Sequence, residues 1–360
     1  MSSQGVSIIA EAGVNHNGQA DLAFQLVDAA VKAGADVIKF QTFKAESIAS
    51  RLAPKADYQL KTTDSTESQF DMLKRLELPD VIFKELQTYC HQKKIQFLST
   101  AFDLPSLYFL TDTLGLQTLK MASGELTNAP LLLAHAKTKA KLIVSTGMAT
   151  LGEVEEALCI IAFGLIAHKE KPSEAAFMDA YLSKEGQKAL RTQVSLLHCT
   201  SNYPASPESL NLNAISTMKS AFGLPVGYSD HSQGIHVPVA AVALGASIIE
   251  KHYTLDKTLP GPDHLASLEP EELKAMIANI RDIEKAMGDG VKKPHISELS
   301  TLKVARKSLV AMTALMKNES YTEENLTVKR PGTGISPIHY WSFLEKRAAR
   351  HYDRDELIHE

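Results

Sequence analysis

The sequence predicts an α/β chain: a (β/α)8 TIM barrel followed by a small β-rich domain. Eight short apolar runs are spaced through the first 255 residues, and stretches with helical periodicity separate them. Each run ends at or near a polar or charged side chain. Alternating strands and helices imply parallel pairing. Eight such units close into a barrel whose chemistry sits at the carboxyl ends of the strands.

The runs, in order, are Ser7–Ala10, Val37–Phe40, Ile95–Thr100, Thr118–Ser123, Leu142–Ser145, Val194–His198, Val226–Ser229 and Ser247–His252. At or just past their ends stand Glu11, Lys39, Thr100, Lys120 with Ser123 and Glu125, Ser145, His198 with Tyr203, Ser229 with His231, and His252. Helix signals lie between. Asp21 precedes Leu22, Leu26, Val27 and Ala30 at helical spacing. Thr150 and Glu153 form a capping box for a helix through Ile161. Pro270, Glu271 and Glu272 open a helix that ends near Gly288.

Two connections are longer than a barrel needs. One, from about Thr42 to Pro79, carries Tyr58, Gln59, Lys61 and the polar stretch Thr62–Ser68, and reads as a lid or substrate clamp. The other, from about Ala167 to Gln193, is charged and helical in part, an excursion rather than a domain. Beyond Gly288 the pattern changes. The expected division is a barrel over 1–288, a linker over 289–302 and a small domain over 303–360. That domain holds strands at Ser308–Met312 and Leu326–Lys329, then a turn through Arg330-Pro331-Gly332-Thr333-Gly334. Its size is marginal for independent stability, so it is expected to lean on another surface, in its own chain or a partner's.

An apolar fraction of 44% in 360 residues supports a large core, while the charged fraction of 22% and net charge of −4 are ordinary. No basic block interleaved with aromatics points to nucleic acid. No apolar run approaches the ~20 residues that span a membrane. The first strand begins almost at once, leaving no room for a signal peptide, and a cytoplasmic location is expected. Cys90, Cys159 and Cys199 form no CxxC pair and read as reduced thiols.

His231 and His252 end neighbouring strands, and two imidazoles suit a divalent transition metal with open positions for water or substrate. The bland alternative is a pair of hydrogen-bonded histidines. Asp230, beside His231, could orient a ring. His91, His135 and His168 read as helix-surface residues. Lys39 and Lys120 inside a parallel barrel are costly unless their charge is used. A Schiff base is one use; neutralising an anionic ligand is the other. The hydroxyls of Thr100, Ser123, Ser145 and Ser229 at neighbouring strand ends favour the anion. Glu11 and Glu125 read either as ion-pair partners of those lysines or as groups that orient water and move protons. Tyr203 and Asp263 read either as ordinary turn residues or as polar groups on a pocket rim that hold a polyol. No Walker-type glycine loop is present.

These residues fall in ordered motifs: Glu11-Ala12-Gly13-Val14-Asn15-His16-Asn17-Gly18, Val37-Ile38-Lys39-Phe40-Gln41-Thr42, Leu98-Ser99-Thr100-Ala101-Phe102, Lys120-Met121-Ala122-Ser123-Gly124-Glu125 and Ser145-Thr146-Gly147-Met148. They continue with His198-Cys199-Thr200, Tyr203-Pro204, Tyr228-Ser229-Asp230-His231, Glu250-Lys251-His252, Pro260-Gly261-Pro262-Asp263-His264 and Lys329-Arg330-Pro331-Gly332. With them the chain resembles the sialic acid synthases, N-acetylneuraminate synthases and relatives, over essentially its whole length.

The resemblance implies a metal-dependent transferase that condenses phosphoenolpyruvate with an open-chain N-acetylmannosamine-type sugar and releases phosphate. It implies that Lys39, Thr100, Lys120, Ser123, Ser145 and Ser229 hold phosphoenolpyruvate, and that His231 and His252 bind Mn2+ or Mg2+. Glu11 would lie at the metal and aldehyde, Glu125 near the reacting centre, and Tyr203, Asp263 and Arg330 at the sugar. The tail would be an antifreeze-like (SAF) domain, and Arg330 would come from the partner in a domain-swapped homodimer. N-acetylneuraminate is the first product expected; the alternatives are N,N'-diacetyllegionaminate or pseudaminate from a 2,4-diacetamido-trideoxy hexose. Ser201, the loop near Asp64 and the excursion depart from the family pattern and leave the sugar open. A Schiff-base pyruvate lyase and a non-catalytic sugar-binding module are the rival classes.

Overall fold

The computed structural model describes residues 5–56, 59–60, 63–64, 66–166 and 170–359. Tyr58, Lys61, Thr62, Ala167 and His168 lie outside the described residues. The chain divides into two compact units, Met1–Gly288 and Asp289–Glu360.

In the first unit eight strands close into a barrel in sequence order. They are β1 (Ser7–Gly13), β2 (Val37–Thr42), β3 (Gln96–Ala101), β4 (Thr118–Met121), β5 (Lys141–Ser145), β6 (Val194–Cys199), β7 (Val226–Asp230) and β8 (Ile248–His252). Every neighbouring pair is parallel, including β1 with β8. The run expected over Thr118–Ser123 leaves the sheet at Met121, because Ser123–Glu125 turns into a short 3-10 helix.

Side chains alternate across a strand, so residues two apart share a face. Inside the barrel Ile9, Val37, Leu98, Leu197 and Ile248 form one apolar cluster, with Ile143 packed against it. Glu11, Lys39, Thr100, Ser145, Cys199 and Glu250 stand two residues further along the same six strands. An apolar plug therefore supports a polar layer. Gly227 belongs to the plug level of β7: a Cβ there would come within 2.5 Å of the Ile248 carbonyl oxygen and 2.6 Å of Leu197. Outward residues such as Ile8, Ile38, Phe97, Leu119 and Ile249 meet the surrounding helices in the main core.

The helix predicted after Thr150 spans Leu151–Ile166, and the capping box forms: Thr150 N donates to Glu153 Oε2 at 2.7 Å and Glu153 N to Thr150 Oγ1 at 3.3 Å. The helix opened by Pro270 spans Pro270–Ala286. The excursion holds two helices, Glu174–Leu182 and Lys184–Gln193. One surface expectation is corrected. His135 is fully buried, since on helix Ala129–Lys137 it shares the inward stripe of Leu131, Leu132 and Ala136. Helical periodicity outweighs residue type there.

In the second unit β9 (Ser308–Ala311) and β10 (Leu326–Lys329) pair antiparallel over a core that includes Leu309, Leu326, Phe343 and Tyr352. The segment read as a linker is not all extended: helix Leu299–Ala305 begins within it. His295 and Glu298 cap the preceding turn, with His295 N donating to Glu298 Oε2 at 2.8 Å.

Candidate active site

The carboxyl ends of the barrel strands enclose a cavity of about 410 Å³. Its lining includes Glu11, Lys39, Thr100, Lys120, Ser123, Ser145, Tyr203, Ser229, His231, His252 and Asp263. Residues from every strand or its following loop thus meet at one place.

At the floor two buried lysines interlock with two buried carboxylates. Lys39 Nζ is 2.8 Å from Glu11 Oε2 and 3.7 Å from Glu250 Oε2, and donates to Thr100 Oγ1 at 3.1 Å. Lys120 Nζ donates to Ser145 Oγ at 2.7 Å and lies 3.4 Å from Glu250 Oε1. Ser229 Oγ donates to the same Glu250 oxygen at 3.0 Å. Burial drives the Glu11 carboxyl up to about 7, with Lys39 pulling the other way. Burial would raise Glu250 too, but Lys120 and Lys39 outweigh it and hold that carboxyl below its ordinary range. Burial likewise opposes the charge of Lys39, which Glu11 and Glu250 more than restore. Lys120 is pushed below the ordinary lysine value by burial, against the pull of Glu250.

The β6–β8 side carries the imidazoles. The rings of His231 and His252 are 5.5 Å apart between centroids, and Tyr203 lies 4.1 Å from His231 and edge-on to His252 at 5.7 Å. His231 Nδ1 donates to the Thr200 carbonyl at 2.7 Å, which turns Nε2 into the lone-pair nitrogen. His252 Nδ1 is buried without a hydrogen-bond partner, 3.9 Å from Asp263 Oδ2. Burial lowers His231 to about 4 and His252 well below the ordinary value, and raises Asp263 to about 6. Two neutral imidazoles with available lone pairs fit a divalent cation. Among the described residues no group of three or more His, Cys, Asp or Glu is placed to hold a metal. Gly13 lets this edge close up: its φ is +53°, and a Cβ would sit 3.3 Å from Gln41, Glu11 and His252 alike.

Other expected positions fall elsewhere. Glu125 does not line the cavity; its carboxylate accepts from Asn128 Nδ2 at 2.7 Å, across the turn that follows β4. His198 points out of the barrel, and its Nε2 is 2.7 Å from the Leu210 carbonyl. Arg330 belongs to the second unit, where its Nε donates to the Ala305 carbonyl at 3.0 Å. Glu250, Gln41 and Cys199 line the cavity although strand-end reasoning gave them no role. Their signal was parity. Glu250 is two residues before His252, Gln41 two after Lys39, and Cys199 two before Ser201.

The NeuB family model matches residues 26–292. The chain belongs to the NeuB family, the sialic acid synthases. Among curated NeuB relatives, the N,N'-diacetyllegionaminic acid synthase of Campylobacter jejuni is 51% identical, covering 98% of each chain. The enzyme of the same name from Legionella pneumophila is 46% identical over 93% of this chain and 88% of its own. Among solved structures, the N-acetylneuraminic acid synthetase of Leptospira borgpetersenii, in complex with citrate, superposes with a TM-score of 0.66 and 35% identity. That match covers 83% of this chain and 90% of the other.

Proposed function

We propose that this protein condenses phosphoenolpyruvate with an open-chain 2,4-diacetamido-trideoxy hexose, yielding an N,N'-diacetyllegionaminate-type nine-carbon acid and phosphate. One observation carries the chemistry: two buried lysines, ringed by hydroxyls, share a cavity with two neutral imidazoles. The sugar rests on the two diacetyllegionaminic acid synthases of highest identity reported above. On those identities the N-acetylneuraminate product expected first yields to its alternative.

In this reading Lys39 and Lys120 balance the phosphate and carboxylate of phosphoenolpyruvate, and Thr100, Ser123, Ser145 and Ser229 donate to their oxygens. Carbon 3 of phosphoenolpyruvate bonds to the aldehyde carbon, water adds to the electron-poor carbon 2, and the resulting tetrahedral species loses phosphate. Glu11 and Glu250 face the positive charge that develops at carbon 2. Tyr203 and Asp263 hold the sugar. His231 and His252 would hold Mn2+ or Mg2+, which when bound supplies Lewis-acid polarisation of the aldehyde oxygen. A homodimer in which Arg330 serves the sugar of the partner subunit, a SAF-type second domain and a cytoplasmic setting complete the proposal. Among the described residues no helix is long and apolar enough to cross a membrane.

The test is phosphate release from phosphoenolpyruvate with 2,4-diacetamido-2,4,6-trideoxymannose, with its pseudaminate-pathway stereoisomer and with N-acetylmannosamine, before and after chelation and Mn2+ readdition. The first sugar should react fastest and only with metal restored. Phosphate release with none of the three would overturn the synthase reading.

A further inference from the structure

One side of the cavity is apolar, and the proposed chemistry makes no use of it. Val14, Met72, Leu73, Leu76 and Phe102 all line it. Val14, Met72 and Leu76 cluster with Phe43, and Leu73 and Phe102 pack against that cluster. Met72 and Leu76 are each only 1% exposed, while Leu73, which lines the same cavity, is half-buried.

Three of these side chains come from one helix, Gln69–Leu76, inside the long connection after β2. Positions 72, 73 and 76 fall on one helical face. The helix is fastened at several points. Ser68 caps its start, accepting from Asp71 N at 3.0 Å. Arg75 Nε is 3.2 Å from Glu67 Oε1, and Lys74 Nζ is 2.9 Å from Glu46 and 3.0 Å from Glu77. Ala45 N donates to Glu77 Oε1 at 2.5 Å. Gly18, with φ +74°, lets the loop after β1 approach so closely that a Cβ would strike the Arg75 carbonyl. The apolar face is thus a fixed wall.

Phosphoenolpyruvate cannot be what covers this wall. It is small and anionic at both ends, and the only cations among the described lining residues are Lys39 and Lys120 at the floor. A phosphorylated sugar would meet no positive charge on the cavity-lining face of the helix either, since Lys74 and Arg75 do not line the cavity. A neutral sugar that ends in methyl groups would remove both surfaces from water. A sugar with hydroxyls in the same places would bury them without partners.

We infer that Met72, Leu73 and Leu76 are the specificity wall of the sugar site, seating the acetamido methyl and the deoxy end of an acylated deoxy sugar and discriminating against hydroxylated counterparts. The inference rests on the synthase reading above.

Leu73 is the residue to change, being half-buried where Met72 and Leu76 are core. The experiment compares kcat/KM for 2,4-diacetamido-2,4,6-trideoxymannose and N-acetylmannosamine in wild type, Leu73→Asn, Leu73→Ala and Leu73→Met, with KM for phosphoenolpyruvate measured alongside. Leu73→Asn should lose about 10–100-fold on the trideoxy sugar, yet stay within about two-fold on N-acetylmannosamine and on phosphoenolpyruvate KM. Leu73→Ala should lose less in the same direction, with no polar atom introduced, and it keeps the comparison available should Leu73→Asn fail to fold. Leu73→Met should retain the wild-type preference. Equal losses on both sugars, or no loss on either, would overturn the wall while leaving the synthase reading intact. Wild-type protein that turns over neither of these sugars nor the pseudaminate-pathway stereoisomer would instead overturn the synthase reading on which it rests.

Discussion

Lys251 Nζ lies 2.5 Å from Asp230 Oδ2, and neither side chain is exposed at all. Asp230 and Lys251 are register partners on β7 and β8, and each immediately precedes one of the two cavity histidines. The pleat sends the ion pair out of the barrel and the imidazoles in. Asp230 also accepts from Tyr228 OH at 3.1 Å and from Ser232 N and Oγ at 3.0 Å, while Lys251 donates to the Ser232 carbonyl. The pair therefore pins together, from behind, the two strand ends that carry His231 and His252.

Breaking one partner strands the other charge in a dry site. Lys251→Met should lower the unfolding free energy by about 3–5 kcal/mol, measured by chemical denaturation. The double variant Lys251→Met/Asp230→Asn should lose less than Lys251→Met alone, because no buried charge is left uncompensated. Wild-type stability in Lys251→Met would show that water reaches the pair.

A second prediction separates an anion-binding lysine from a Schiff-base lysine. Lys120 donates to Ser145 and sits beside Glu250, so its charge is held in place to meet an anion. Lys120→Met should weaken phosphoenolpyruvate binding by about 1.5–3 kcal/mol per lost charged hydrogen bond, read by calorimetry. Borohydride with pyruvate should leave the wild-type mass unchanged. An adduct on Lys120 or Lys39, or undiminished affinity in Lys120→Met, would return the lyase to contention.

Acid should destabilise the barrel partly through His135. Its Nδ1 is 2.9 Å from the Leu131 carbonyl, its Nε2 is buried without a partner, and burial lowers its pKa from 6.5 to about 4. Between those two values the unfolded chain holds a proton that the folded chain does not. Stability from this residue is therefore complete above pH 6.5 and declines as pH falls toward 4. From pH 7 to pH 5 the decline amounts to about 2 kcal/mol for one such histidine. His135→Leu should flatten the pH dependence of unfolding by that amount. An unchanged slope would mean that His135 is protonated in the folded protein.

What was legible in the sequence was whatever depends on one strand at a time. Apolar runs bounded by polar residues located all eight strands, and the residues at their ends, Glu125 and His198 excepted, converge on one cavity. Glu250 escaped because it lies before the strand end, and only its shared face with His252 marks it as interior. The Lys251–Asp230 pair escaped for a different reason: it depends on the register between two strands, which neither strand encodes alone. The wall at Met72, Leu73 and Leu76 was hidden by its neighbours, since the polar stretch Thr62–Ser68 made the whole connection read as a loop. The Gly, Pro and mixed polar residues of Asp289–Leu302 likewise hid the helix at Leu299–Ala305 inside an apparent linker.

The last prediction concerns Arg330. Its Nε is tied to the Ala305 carbonyl at 3.0 Å, and the residue is exposed, so the outer guanidinium nitrogens can meet a ligand's amide carbonyl or hydroxyls. If those nitrogens serve the sugar of the partner subunit, Arg330→Ala and Lys120→Met proteins should each be nearly inactive alone. In a mixed dimer the defects fall in the same site for one subunit pairing and leave the other site whole. Mixing with verified subunit exchange should then restore activity, up to about one working site in each mixed dimer. Phosphate release with phosphoenolpyruvate and the trideoxy sugar is the readout, and mass spectrometry of the native dimers verifies exchange. Exchange without recovered activity would place the action of Arg330 within its own chain.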